Sequence, residues 1–192
     1  TSSPLATVRT ATGRCGEQST FTVAALRSIG IPARQVYTPR WAHTDDNHAW
    51  VEVWVDGRWR FMGACEPEAT LDKGWFNWAA SRAMLIRAFD YEGNQIATTD
   101  TYAPTKTLKV RVVDEEGKAI QGATVDFRVY NYSEFYPIFT TKSDADGYAT
   151  FTTGYGDLQV WVSANDKYGV KKAAAYSTEI AITPCHKAGS AW

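Results

Sequence analysis

The chain has 192 residues and sets 21 acidic against 20 basic side chains, a formal charge of −1 at pH 7. That balance excludes the basic footprint of a nucleic-acid binder and a polybasic membrane surface, and no stretch of about 18 consecutive apolar residues marks a membrane span. The length admits one or two domains with a substantial core, while three cysteines, Cys15, Cys65 and Cys185, make no disulfide framework.

The chain opens at Thr1 with neither methionine nor signal peptide and reads as a fragment or processed form. Its first informative segment is Gly13-Arg14-Cys15-Gly16-Glu17-Gln18-Ser19. Directly after it Phe21, Ala24, Ala25, Leu26 and Ile29 recur at helical spacing, and Gly30 and Pro32 follow as stop signals. Cys15 is therefore expected at a helix start, where the positive end of the macrodipole favours thiolate, the nucleophilic form. A lone cysteine is more often inert core than catalyst, so Cys15 needs a partner.

The partner candidate is His48, in Asn47-His48-Ala49-Trp50-Val51-Glu52-Val53-Trp54-Val55. The alternation predicts a strand with Ala49, Val51, Val53 and Val55 on one face and His48, Trp50, Glu52 and Trp54 on the other. Asp56-Gly57 is a two-residue hairpin signal, and Arg58 to Met62 is the expected return strand. Cysteine and histidine far apart in sequence, each on a rigid element, make the arrangement of a thiol enzyme. The imidazole takes the thiol proton and later returns it to a leaving group.

These blocks, with Leu26-Arg27-Ser28-Ile29-Gly30-Ile31-Pro32-Ala33-Arg34 between them, resemble the transglutaminase-like superfamily, a rearranged relative of papain-type thiol proteases. The resemblance covers roughly residues 10 to 85. It implies Cys15 as nucleophile, His48 as general base and an orienting aspartate on the strand after the histidine. Here the sequence departs from the pattern, because that position falls on Gly63 in Phe61-Met62-Gly63-Ala64-Cys65-Glu66.

The hairpin register sets Val55 opposite Arg58 and His48 opposite Cys65, with Gly63 diagonal to His48 on the same face. Glu66 is the nearest downstream acid, and a bulge at Gly63-Ala64 would swing it towards His48. Asp45 and Asp46 are rivals, as are water and a backbone carbonyl. Trp41 and Trp50 are the expected substrate-lining aromatics. If Cys15 must stay a thiolate, a Cys15–Cys65 bond would inhibit it. The helix-start N–H of Cys15 is the expected oxyanion donor.

Farther along, Trp75, Phe76, Trp78, Ala79, Ala83 and Leu85 predict a helix over Trp75 to Ile86. Residues 96–106 read as a linker, rich in threonine and carrying Pro104. Beyond them the period changes to two: Leu108, Val110, Val112; Ala123, Val125, Phe127, Val129; Leu158, Val160, Val162. Short alternating strands with Gly and Asp turns predict an antiparallel β-sandwich. Val112-Val113-Asp114-Glu115-Glu116-Gly117 and Ser143-Asp144-Ala145-Asp146-Gly147 resemble the carboxypeptidase-regulatory-like or prealbumin-like sandwich. Asp144-Ala145-Asp146-Gly147 reads as a β-turn and not as a calcium loop, because the spaced glutamate is missing.

The expected organisation is an α+β thiol domain over 1–95, the linker, an all-β sandwich over 107–184 and a tail over 185–192. No metal site and no cofactor are expected, since Cys15 and the hairpin already account for His48. The resemblance implies acyl chemistry on amide bonds of a protein or peptide substrate through a thioester. A peptidase or amidase is preferred to an amine-transferring cross-linker. The alternative is a degenerate domain that binds peptide or glycan. The expected location is extracytoplasmic: periplasmic, surface or secreted.

Overall fold

In the computed structural model, which describes residues 2–187 and 189, two helices open the chain: α1 (Pro4–Thr10) and α2 (Cys15–Ser28). Ser3 caps α1 by accepting from the Ala6 N–H at 3.2 Å, and Pro4 begins the helix where no donor is needed. At α2 the Glu17 carboxylate reaches back to the Arg14 N–H at 3.0 Å, one arm of a capping box. The helix ends as its sequence predicts. Gly30 adopts φ +83°, while Ile31 donates to the Leu26 carbonyl at 3.0 Å and Gly30 to that of Arg27 at 3.1 Å. That pair of bonds closes a Schellman cap.

Five strands follow in an antiparallel sheet: β1 (Ala33–Thr38), β2 (His48–Val55), β3 (Arg58–Met62), β4 (Arg87–Phe89) and β5 (Gln95–Ala97), in spatial order β3-β2-β1-β4-β5. Helical turns α3 (Asn77–Ala80) and α4 (Thr99–Tyr102) lie before β4 and after β5. The Asp56-Gly57 hairpin forms with both residues at positive φ, and Val55 pairs with Arg58. Val51 and Val53 pack with Ala33 and Val23 of α2, bordered by Leu26, Ile31 and Met62. The opposite face of β2 meets an aromatic layer: Trp50 lies 4.9 Å from Phe76 and 5.3 Å from Tyr102.

The helix expected over Trp75 to Ile86 shrinks to the single turn α3. Ala83, Met84, Leu85 and Ile86 are all buried, and a segment buried on every side has no reason to keep a helical stripe. A short continuous apolar run cannot be separated from a helix by periodicity.

The chain divides into two compact units, Thr1–Pro39 with Asn47–Tyr102 and Arg40–Asp46 with Ala103–Trp192. In the second unit lie β6 (Thr105–Val112), β7 (Thr124–Asn131), β8 (Glu134–Lys142), β9 (Tyr148–Gly154), β10 (Leu158–Ala164), β11 (Lys167–Ala173), β12 (Glu179–Ile182) and β13 (His186–Lys187). They form a sheet ordered β13-β11-β10-β7-β8 and a sheet ordered β12-β6-β9. The alternating valines and leucines of β6, β7 and β10 are buried as their period demands. Phe151 of β9 meets Phe127 at 4.9 Å and Phe139 at 4.6 Å, so aromatic rings from both sheets share one core. Asp114 and Asp144 close equivalent turns, each carboxylate accepting two backbone N–H groups before a glycine-assisted reversal.

Two boundaries differ from the expected ones. The linker over 96–106 holds the end of β5, the turn α4 and the start of β6. Within the expected tail, His186 and Lys187 pair with Tyr168 and Lys167 as β13, and residues 188 and 190–192 lie outside the described residues. The loop between β1 and β2 also belongs to the second unit. Fully buried Asn131 organises it, donating to the carbonyls of Trp41 and Thr44 at 2.9 Å and Asp46 at 3.2 Å.

Candidate active site

Cys15 is the first residue of α2 and its thiol is free and partly exposed. The helix start is fastened to the sheet. Gln35 on β1 donates to the Gly16 carbonyl at 3.0 Å and to Ser19 Oγ at 2.7 Å, and Ser19 in turn donates to the Cys15 carbonyl at 2.6 Å. Three residues farther along β1, Thr38 pairs with His48. One strand therefore carries both the anchor of the helix start at Cys15 and the neighbour of His48.

His48 begins β2 and is 7% exposed. Its imidazole sits among aromatic rings, with centroids at 4.8 Å from Trp75, 4.9 Å from Phe76 and 5.8 Å from Trp50. Cys65 is a free thiol near both Glu66 and Cys15. Burial pushes its pKa up, and the charges of Glu66 and Cys15 push it further the same way.

The register expected of the hairpin holds through Val51 and Met62, where the ladder ends. In place of a bulge, the chain leaves the sheet at Gly63. A Cβ there would meet the Glu66 carbonyl oxygen at 3.1 Å and the Phe76 ring at 3.5 Å. Glycine is thus the residue this crossing accommodates without displacement, and an aspartate does not fit unless Glu66 moves. Glu66 itself accepts from the Trp75 indole N–H at 2.8 Å. The rival Asp45 accepts from the Tyr132 N–H at 2.6 Å, within the second unit.

The two tryptophans expected to line substrate are buried instead. Trp50 is 0% exposed and donates its indole N–H to the Tyr102 hydroxyl at 3.0 Å, and Trp41 is 3% exposed in the second unit. A large apolar ring flanked by apolar neighbours gains more from the core than from a cleft wall. The exposed ring beside His48 is Trp75, at 61%. Among the described residues, no three His, Cys, Asp or Glu side chains gather as a metal site.

Sequence reasoning passed over Glu52. It is 1% exposed and pairs with Arg34 at 2.6 Å, while accepting from the Tyr102 hydroxyl at 2.6 Å. The Arg34 guanidinium lies over the Trp59 ring at 4.1 Å. Burial, and after it the Glu52 carboxylate, hold the Tyr102 phenol far above its ordinary pKa. The signal for this knot was a carboxylate on a face otherwise lined by His48 and Trp50.

A free thiol at a helix start, an imidazole at a strand start and the spacing between them now stand together in one unit. Residues 1–64 match the Transglutaminase-like superfamily. The matched segment includes Cys15 and His48 and ends just before Cys65 and Glu66. A similar protein is the peptide-N(4)-(N-acetyl-beta-glucosaminyl)asparagine amidase of Eremothecium gossypii, 43% identical over 65 residues. That alignment covers 33% of this chain and 17% of the amidase, so the chain spans under a fifth of this relative's length.

Among solved structures, the streptococcal ancillary pilin matches 81% of this chain and 57% of its own at 12% identity, with TM-score 0.34. BcpA, the major pilin subunit of Bacillus cereus, matches 55% of this chain and 37% of its own at 12% identity, with TM-score 0.29. Likenesses this weak carry no inference about fold or function. No helix among the described residues is long and apolar enough to cross a membrane.

Proposed function

We propose that the transglutaminase-like unit is a cysteine-dependent amidase that acts on an amide bond of a peptide or glycopeptide. The observation that carries this reading is Cys15 at the first turn of α2, tied through β1 to the strand pair that begins with His48. In the proposed reaction Sγ of Cys15 attacks the amide carbonyl carbon and a thioester C–S bond forms. The C–N bond breaks, and His48 gives its proton to the departing nitrogen. Water then attacks the thioester with His48 as base, releasing a carboxylate and regenerating the thiol. The Cys15 backbone N–H supplies an oxyanion donor. The relative's amidase activity supports amide cleavage over cross-linking. An extracytoplasmic location belongs to the same proposal.

The test is the pH dependence of Cys15 alkylation by iodoacetamide, with His48→Ala beside the unmodified chain. A working pair labels rapidly at neutral pH, and labelling falls by about 100-fold in His48→Ala. Labelling that rises only near the free-thiol value of about 8.5, and ignores the substitution, removes the proposal. One observation favours a second reading: Gly63 occupies the position where the superfamily resemblance implies an aspartate. A domain that lost this acid and retained its cleft would bind peptide or glycan without turnover.

A further inference from the structure

We infer that Trp75 is the positioning residue of His48, and that Glu66 acts on the imidazole through the Trp75 indole. The inference rests on His48 being the base of the proposed reaction. Both residues lie beyond the matched segment 1–64. Three observations carry it. The Trp75 and His48 rings are 4.8 Å apart with planes tilted by 55°, within the range where an aromatic face attracts a cation. Trp75 is 61% exposed, so packing alone does not fix its ring. Its N–H is instead held by the Glu66 carboxylate at 2.8 Å, a charge-assisted bond that sets the ring's orientation.

The electrostatics follow from these contacts. The proposed reaction must populate the His48 imidazolium when the thiol gives up its proton. The indole face offers negative quadrupole density to that cation. A carboxylate on the indole N–H pushes more electron density into the ring and adds a full negative charge on its far side. Phe76 at 4.9 Å and Trp50 at 5.8 Å also lie beside the imidazole.

Charged and titratable groups on the elements of the same unit include Glu52 on β2, Arg34 and Tyr37 on β1, Cys15 at the start of α2, Cys65 and Glu66 after β3, and Asp72 and Lys73 before Trp75. His43, Asp45 and Asp46 precede His48 in the chain and belong to the second unit. Asp72 is already paired with Arg60 at 2.8 Å, and Asp45 with the Tyr132 N–H. Glu66 differs from these in having an aromatic ring between its charge and the imidazole. No covalent step passes through Trp75: the proton moves from Cys15 to His48 and on to the leaving nitrogen.

The experiment is an NMR titration of the His48 ring in the full chain, with His43 and His186 as internal references and His48→Ala for assignment. Trp75→Leu is expected to lower the His48 midpoint by about half a pH unit. Trp75→Phe should lower it by less, Glu66→Gln by an intermediate amount, and Trp78→Leu, similarly exposed three residues along the chain, not at all. An unchanged midpoint in Trp75→Leu overturns the inference. So does an equal shift in Trp78→Leu, or a shift in Glu66→Gln that Trp75→Leu lacks, since Glu66 would then act directly. If Trp75→Leu does not fold, Trp75→Phe decides by the same criterion. The readout needs no turnover. Cys15 labelling indifferent to His48→Ala would remove the proposed enzyme, and a midpoint shift would still establish the positioning.

Discussion

The two ends of strand β2 use one face of one sheet for opposite purposes. At the Glu52 end, a carboxylate, a guanidinium and a phenol satisfy one another out of water, with Arg34 and Tyr102 both bonded to Glu52 at 2.6 Å. At the His48 end, four residues away, the imidazole is held by rings, and one of them, Trp75, faces solvent. A closed ion pair immobilises and cannot readily change its charge state. In the proposed reaction His48 gains and loses a proton, and polarizable rings beside it favour the cation. The difference separates a carboxylate–guanidinium pair from an imidazole set among aromatic rings.

The largest expected effect breaks the closed end. Glu52→Ala leaves the partly buried Arg34 charge and Tyr102 hydroxyl without their carboxylate, and should destabilise the unit by about 3 kcal/mol, read by urea unfolding. Cys15 labelling should be lost only in step with the fold. Next comes Tyr102→Phe, which leaves Trp50 Nε1 and one Glu52 oxygen unpaired at about 1–3 kcal/mol. A pH signature accompanies it. The folded phenol titrates above its unfolded value near 10, so its contribution is complete below that pH and is lost as pH rises beyond it. The unmodified chain should therefore weaken above about pH 10, whereas Tyr102→Phe should weaken less steeply; parallel alkaline unfolding curves would contradict this.

Gly63→Asp sharpens the comparison at the open end. The new Cβ meets a backbone oxygen at 3.1 Å, so overpacking of about 1 kcal/mol is expected. A chain of this size should then melt about 2–4 °C lower. A gain in stability together with faster Cys15 labelling would instead mean that the loop accepts an orienting acid. The smallest effect is that of Ser3→Ala at the α1 cap, about 1 kcal/mol or less, with no change in the pH profile of Cys15.

Much of the first unit was legible because its signals are local. The helix start at Cys15, its Schellman end at Gly30 and the Asp56-Gly57 hairpin each depend on residues within five positions of one another. The same holds for β6, β7 and β10, where alternation alone separates core from surface. The superfamily resemblance was legible for the same reason, since Cys15 and His48 each sit inside a short contiguous block. The helix over Trp75 to Ile86 was misread because a segment buried on all sides loses its period. Trp41 and Trp50 are buried where the sequence suggests cleft-lining rings, because an aromatic residue beside Cys15 or His48 reads the same whether it lines a cleft or fills the core.

By itself the sequence determined where Cys15 and His48 stand on their elements, since capping, turn geometry and strand alternation are settled over a few residues. Only the tertiary structure decided what surrounds them. It brought residues 34, 52 and 102 into one buried knot and gave the β1–β2 loop to the second unit through Asn131. It closed Gly63 against Glu66 and hung the Glu66 charge on the indole of Trp75. Apart from Gly63 and Glu66, these pairings join residues from 9 to 90 positions apart. No spacing rule encodes them, because they depend on which surfaces meet after the sheet has formed.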